Sequence, residues 1–137
     1  MPSEPSQPPP LYERLGGRVK LAVLMRNFYA SLQIHPALGP IFAANVVDWS
    51  AQYARLTEFW SLQTGGPSQY RGRVLHAHAV LDLRPEHFDA WLAQWRQSCL
   101  LHFEEPEAAE MIALAEGLAR RMGGNTRIGL PSSPGTA

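Results

Sequence analysis

From Gly65 to Trp91 the chain reads G-G-P-S-Q-Y-R-G-R-V-L-H-A-H-A-V-L-D-L-R-P-E-H-F-D-A-W. Gly65, Gly66 and Pro67 break whatever precedes them and open a loop. A short segment of apolar residues and histidines follows. Pro85 then suits the first position of a helix, where its missing N–H leaves nothing unsatisfied. A histidine on so short a segment, set between longer helices, can reach inward and bind a metal. His76 and His78 compete for that role. Two residues apart on a helix they point in different directions, so one iron cannot take both from one face. On a strand they share a side, which suggests a His-x-His zinc or iron site, but the chain has no Cys-x-x-Cys to complete one. The plain alternative is a satisfied core or surface histidine.

Outward from this stretch the pattern is helical. Leu11 to Leu15 suits one short turn, stopped by Gly16-Gly17. From Arg18 to about Gln33, Leu21, Leu24, Met25, Phe28 and Leu32 recur at three-to-four spacing, as a single buried face requires, and Tyr29 borders them. Pro36 ends that helix, Leu38-Gly39-Pro40 reads as a turn, and Ile41 and Phe42 follow with little regular structure around them. Asp48 is a plausible N-cap for a helix from Trp49 to Gln63. Trp49, Gln52, Tyr53, Leu56, Trp60 and Gln63 share its stripe, with Phe59 at the edge. A helix from Pro85 to about Phe103 carries Phe88, Trp91, Leu92, Trp95 and Cys99 inward. The last, from Pro106, is apolar through Met122 and ends at Gly123-Gly124. No alternating β-branched run argues for a sheet. The expected class is all-α, with one domain over 11–122 between tails 1–10 and 123–137 too poor in apolar surface to order.

Bulk composition narrows the function. The chain has 137 residues, 45% of them apolar, which allows one domain with a real core. Twelve basic and twelve acidic side chains cancel, which argues against a nucleic-acid or membrane partner held by charge. Cys99 is the single cysteine, so no internal disulfide forms and a cytoplasmic setting is the default. No stretch approaches a membrane span and no signal peptide is read. Phosphate-cradle, dinucleotide and nucleophile-elbow motifs are absent from the sequence. His35, His87 and His102 read as solvated.

Tyr29, Trp91 and Gln52 form a second constellation. As large core groups they need no function, yet a buried phenol or indole seeks a partner for its polar atom. Tyr offers an O–H, Trp a donor only, and Gln both kinds. Facing one space, they suit a ligand that accepts hydrogen bonds, such as iron-bound dioxygen.

The ordered series Phe28-Tyr29, Pro36-x-Leu38-Gly39-Pro40-Ile41-Phe42, Phe59-Trp60 ahead of Gly65-Gly66, Tyr70-x-Gly72, His78-x-x-Leu81 and His87-Phe88-x-x-Trp91 resembles the truncated haemoglobins, the short two-over-two globins. The Leu-Gly-Pro-Ile-Phe run, the Phe-Trp pair and Trp91 are most similar to the third group of that family. Leu11 to Gly17 is more like the opening of the other two groups. The resemblance implies a two-over-two helical sandwich around a haem b, with His78 as the iron ligand. Phe42, Leu56, Trp60 and Phe28 would then contact or back the cofactor, and Tyr29, Trp91 and Gln52 would sit on the distal side, with Tyr53 an alternative to Gln52. It implies a small gaseous ligand (O2, CO, NO) or peroxide, and a reductase as partner. Redox chemistry on bound ligand, peroxidase-like or nitric-oxide-dioxygenase-like, is favoured over bulk oxygen transport. The competing reading is a cofactor-free helical interaction module whose aromatics are only core.

Overall fold

The computed structural model describes residues 8–71 and 83–124. His76 and His78 therefore lie outside the described residues, as does most of each expected tail. Pro8 to Pro10 are described; the Pro9 carbonyl accepts from the Arg14 guanidinium and the Pro10 carbonyl from the backbone N–H groups of Glu13 and Arg14.

Among the described residues every regular element is helical. α1 is Leu11–Leu15 and α2 is Gly17–Gln33. Gly16 and Gly17 separate them with φ of 107° and 82°, a left-handed pair that residues with a Cβ rarely adopt. α2 buries Leu21, Leu24, Met25, Phe28, Tyr29 and Leu32, the face its spacing predicts. α3, Gly39–Asn45, departs from expectation: the Leu38-Gly39-Pro40 turn is the first turn of a short helix that carries Ile41 and Phe42. Pro40 is tolerated there because the first helical N–H groups have no intrahelical acceptor. Gly39 is buried where a Cβ would collide with the Gln33 carbonyl.

α4 is Trp49–Gln63, and the Asp48 carboxylate caps it by accepting from Ala51 N at 3.2 Å. Its buried face lies further round than the apolar stripe suggests. Phe59, read as an edge residue, is buried beside Trp60, together with Thr57, Ser61 and Thr64. The polar three are satisfied locally. Thr57 donates to Tyr53 O at 2.8 Å, Thr64 to Trp60 O at 2.7 Å, and Ser61 to Pro67 O. The first half of α4, with Trp49, Gln52, Tyr53 and Leu56, is only half-buried.

α5 is Pro85–His102 and α6 is Glu105–Ala119. α6 does not run evenly to Met122: Arg120–Gly124 widens into a π-helical turn that includes the glycines expected to end it. α2 packs on α4, α5 packs on α6, and α2 against α5 joins the two pairs. The core sits at that crossing. Trp60 stacks on Trp95 at 4.5 Å, and Phe28 stands edge-on to Trp95 at 4.9 Å. Such pairs contribute about 0.5–1.5 kcal/mol each beyond area burial. α1 is tied across by a two-pronged pair from Arg14 to Glu110 at 2.5 and 3.1 Å. No helix among the described residues is long and apolar enough to cross a membrane.

Candidate functional site

The two helix pairs do not close completely. They leave an apolar pocket between them. Helices α2 to α6 supply the wall residues. α2 turns Tyr29 inward one turn after Met25. α3, the element missed in sequence, brings Ile41 and Phe42. α4 contributes Leu56, Phe59 and Trp60. Leu83, His87, Phe88 and Trp91 come from α5 and its approach, and Leu118, Ala119 and Met122 from the end of α6 and the π turn. A π turn widens the helix where it meets a site, a common place for one.

Of the residues singled out in sequence, Tyr29, Phe42, Leu56, Trp60 and Trp91 are brought together on this lining. Phe28 is fully buried behind it, edge-on to Tyr29 at 4.8 Å and to Trp91 at 5.4 Å. Gln52 is not brought in. Its amide oxygen accepts from Arg55 Nη1 at 2.6 Å, on the exposed side of α4. Arg55, three residues on, is a helical neighbour that draws the amide away. Tyr53 does not replace it, since its hydroxyl accepts from Gln33 Nε2 at 3.0 Å and its ring leans on Trp49 at 5.5 Å.

Tyr29 is the polar centre of the lining and is 5% exposed. Burial pushes its phenol well above the ordinary range, and a hydrogen bond with Trp91 pulls back by less. The indole N–H can only donate, and the phenol can both donate and accept. The phenol remains protonated at neutral pH.

His87 was read as solvated, but it is half-buried on the pocket wall. Its Nδ1 accepts from Arg84 N at 2.9 Å. A neutral ring in that arrangement carries its proton on Nε2, so the free nitrogen is a donor and not a metal ligand. The signal was its position four residues before Trp91, which puts both on one helical face. His102 is also engaged, with Ser98 O at 2.8 Å and Asn27 Nδ2 at 3.0 Å. His35 Nδ1 accepts from Ala37 N and Leu38 N.

The loop that leads toward the two central histidines is pinned rather than loose. Glu58 pairs with Arg18, accepts from Gln69 N at 2.8 Å, and through its carbonyl takes the Ser68 hydroxyl at 2.7 Å. Arg18 also donates to Pro67 O at 3.0 Å. Gly66 has no room for a Cβ, which would collide with the Tyr12 ring. Nothing in the spacing of Arg18, Glu58 and Ser68 announces this network.

Comparison with known proteins decides the family: the bacterial-like globin model matches residues 10–122. The chain belongs to the bacterial-like, truncated globins. A group 1 truncated haemoglobin of Nostoc sp. (strain MUN 8820) is 33% identical over 81 residues, 58% of this chain and 67% of that protein. The crystal structure of the Fe(III) truncated haemoglobin of Tetrahymena pyriformis is similar with a TM-score of 0.74 and 25% identity, covering 84% of this globin and 98% of that chain. The group III truncated haemoglobin of Campylobacter jejuni matches with a TM-score of 0.70 and 28% identity, over 77% and 87% of the two chains. The all-α, two-over-two expectation is thus met. Group 1 and group III proteins both stand among the relatives, so the third-group likeness is not singled out. Membership carries the family's coarse function, a globin that binds haem and a small ligand.

Proposed function

We propose that this globin holds one haem b in the α2–α6 pocket, with His78 as the residue that would ligate its iron, and binds dioxygen or a related small ligand, with Tyr29 as donor, for redox chemistry. The observation that supports the reading is the pocket itself: an almost wholly apolar, aromatic-lined space with the buried Tyr29 phenol on its wall. Those walls fit a flat apolar group with one polar face. A haem held by one histidine would supply an iron with an open coordination position that could take oxygen, nitric oxide or peroxide.

The chain's own residues would do the rest. Phe42, Leu56 and Trp60 exclude water, which protects a reduced metal and strengthens electrostatic contacts inside. Phe28 fixes the rings of Tyr29 and Trp91 from behind. Tyr29 would donate to a ligand bound there, and Trp91, the other donor side chain close to it, would share that wall. His87 offers Nε2–H at the same wall. A strong hydrogen bond slows ligand release, which suits reaction on the ligand better than delivery of it. The choice between peroxide reduction and nitric oxide oxidation, and the reductase that would serve either, follows from rates measured with each.

Haem titration of the apoprotein tests the ligand. His78→Ala is expected to lose the Soret band of a five-coordinate histidine haem, and His76→Ala to keep it. A His78→Ala protein with an unchanged ferrous spectrum would overturn the assignment.

A further inference from the structure

Among the described residues, Tyr29, Trp91 and His87 are the side chains that bring hydrogen-bonding N–H or O–H groups to the pocket lining. Tyr29 is almost fully buried, and it and Trp91 are hydrogen-bonded to each other. His87 differs from both. Its ring is half-buried, so it meets the pocket on one side and water on the other. Its Nδ1 is taken, because it accepts from Arg84 N at 2.9 Å. In a neutral ring held that way, Nε2–H is the polar group left to offer. The charged residues beside it, Arg84, Glu86 and Asp89, are exposed and stand off the lining.

A haem b is apolar over its faces but carries two carboxylates on one edge, ionised at neutral pH. An ionised carboxylate is costly to bury without a partner. Phe42, Leu56, Phe59 and Trp60 offer it none. The carboxylate edge therefore belongs where water reaches the lining and a donor stands on it. His87 meets both conditions. An N–H that donates to a carboxylate makes a charge-assisted bond, about twice as strong as one between neutral groups.

We propose that His87 binds a carboxylate of the haem through Nε2–H and so anchors the polar edge of the cofactor at the start of α5. This rests on the reading of the pocket as a haem site. The cap on Arg84 N would by itself account for an acceptor at this third helical position, where Gln and Glu serve the same end. Substitution can separate the two roles. His87→Gln keeps an acceptor for Arg84 N and an N–H donor. His87→Glu keeps the acceptor and replaces the donor with a negative charge.

The test compares haem b with its dimethyl ester, which has the same macrocycle and iron but an uncharged edge. Each is loaded on the full chain, and its rate of transfer to excess serum albumin is followed at the Soret band. In wild type, haem b is expected to leave more slowly than the ester, and His87→Gln is expected to keep that advantage. His87→Glu is expected to lower it about tenfold or more, mainly by faster loss of haem b. His87→Met fills the same wall and donates nothing, and it supplies the comparison should His87→Glu fail to fold. A purely capping role would change both transfer rates together. A ratio of the two rates that stays within about twofold across wild type, His87→Gln, His87→Glu and His87→Met would overturn the carboxylate contact. A wild-type chain that shows no Soret band with either porphyrin would instead overturn the haem reading on which the contact depends.

Discussion

Replacing Tyr29 by Phe removes one oxygen from a pocket that otherwise keeps its shape. The ring is held by Phe28 at 4.8 Å and by Phe42 at 5.8 Å, contacts that a phenylalanine retains. What is lost is an O–H that burial keeps protonated on the pocket wall. Iron-bound dioxygen carries partial negative charge, and a hydrogen bond to a charged group contributes about 1.5–3 kcal/mol. If that stabilisation acts on the bound state alone, its loss speeds oxygen dissociation about 10- to 150-fold. The assay is stopped-flow displacement of oxygen from the ferrous protein, with carbon monoxide release as control. Carbon monoxide accepts hydrogen bonds weakly, so its rate is expected to change far less. The wild-type oxygen rate should also show no inflection below about pH 10, the ordinary phenol range, because the shift at Tyr29 is upward. An oxygen dissociation rate in Tyr29→Phe within twofold of wild type would refute the assignment of the phenol as the distal donor.

Further outcomes follow from neighbouring geometry. Gln52→Ala is expected to change oxygen dissociation by less than about twofold, since its amide is taken by Arg55 and an exposed interaction of that kind contributes little; stopped-flow rates check this. Asp48→Ala is expected to lower stability by about 1 kcal/mol in urea unfolding, through loss of the cap on Ala51 N. Cys99 is fully buried and burial pushes its thiol up to about 12. The folded state therefore keeps the thiol proton that the unfolded chain releases near pH 9, so stability falls as pH rises from there toward 12. The contribution is about 1.4 kcal/mol per pH unit. Cys99→Ala should flatten that part of the pH–stability curve relative to wild type.

Much of the fold was legible because helix period and punctuation agree. α2 buries each residue its spacing selects, Asp48 caps α4, and Pro85 opens α5. The misses have physical causes. Leu38-Gly39-Pro40 carries turn chemistry, but a proline in the first turn of a helix and a glycine squeezed against a carbonyl look the same in sequence as a turn. Phe59 and Trp60 both face inward because Thr57, Ser61 and Thr64 satisfy themselves on backbone carbonyls, which lets a polar stripe be buried. The π turn after Ala119 has no local composition that separates it from an α-helical end.

The candidate site was legible in its apolar wall and less so in its polar atoms. Tyr29, Leu56, Trp60 and Trp91 stand on or beside helical faces that period points inward, whereas Phe42 lies on the short helix that its turn residues concealed. Gln52 shares such a face, yet its flexible amide follows the nearest charge, and that choice depends on Arg55 rather than on spacing. His87 was passed over for the opposite reason. A histidine in the first turn of a helix looks exposed until the ring bonds back to the backbone and the helix is packed against a pocket. The network of Arg18, Glu58 and Ser68 joins residues far apart in sequence, and no local pattern encodes it.

The visible absorption spectrum of the wild-type protein, reconstituted with haem, reduced and exposed to carbon monoxide, tests the central claim most directly. A sharp Soret band that shifts on reduction and again on carbon monoxide binding is expected, with one haem taken up per chain. Folded protein that stays colourless after haem is offered, or that takes up haem without any carbon monoxide shift, would contradict it.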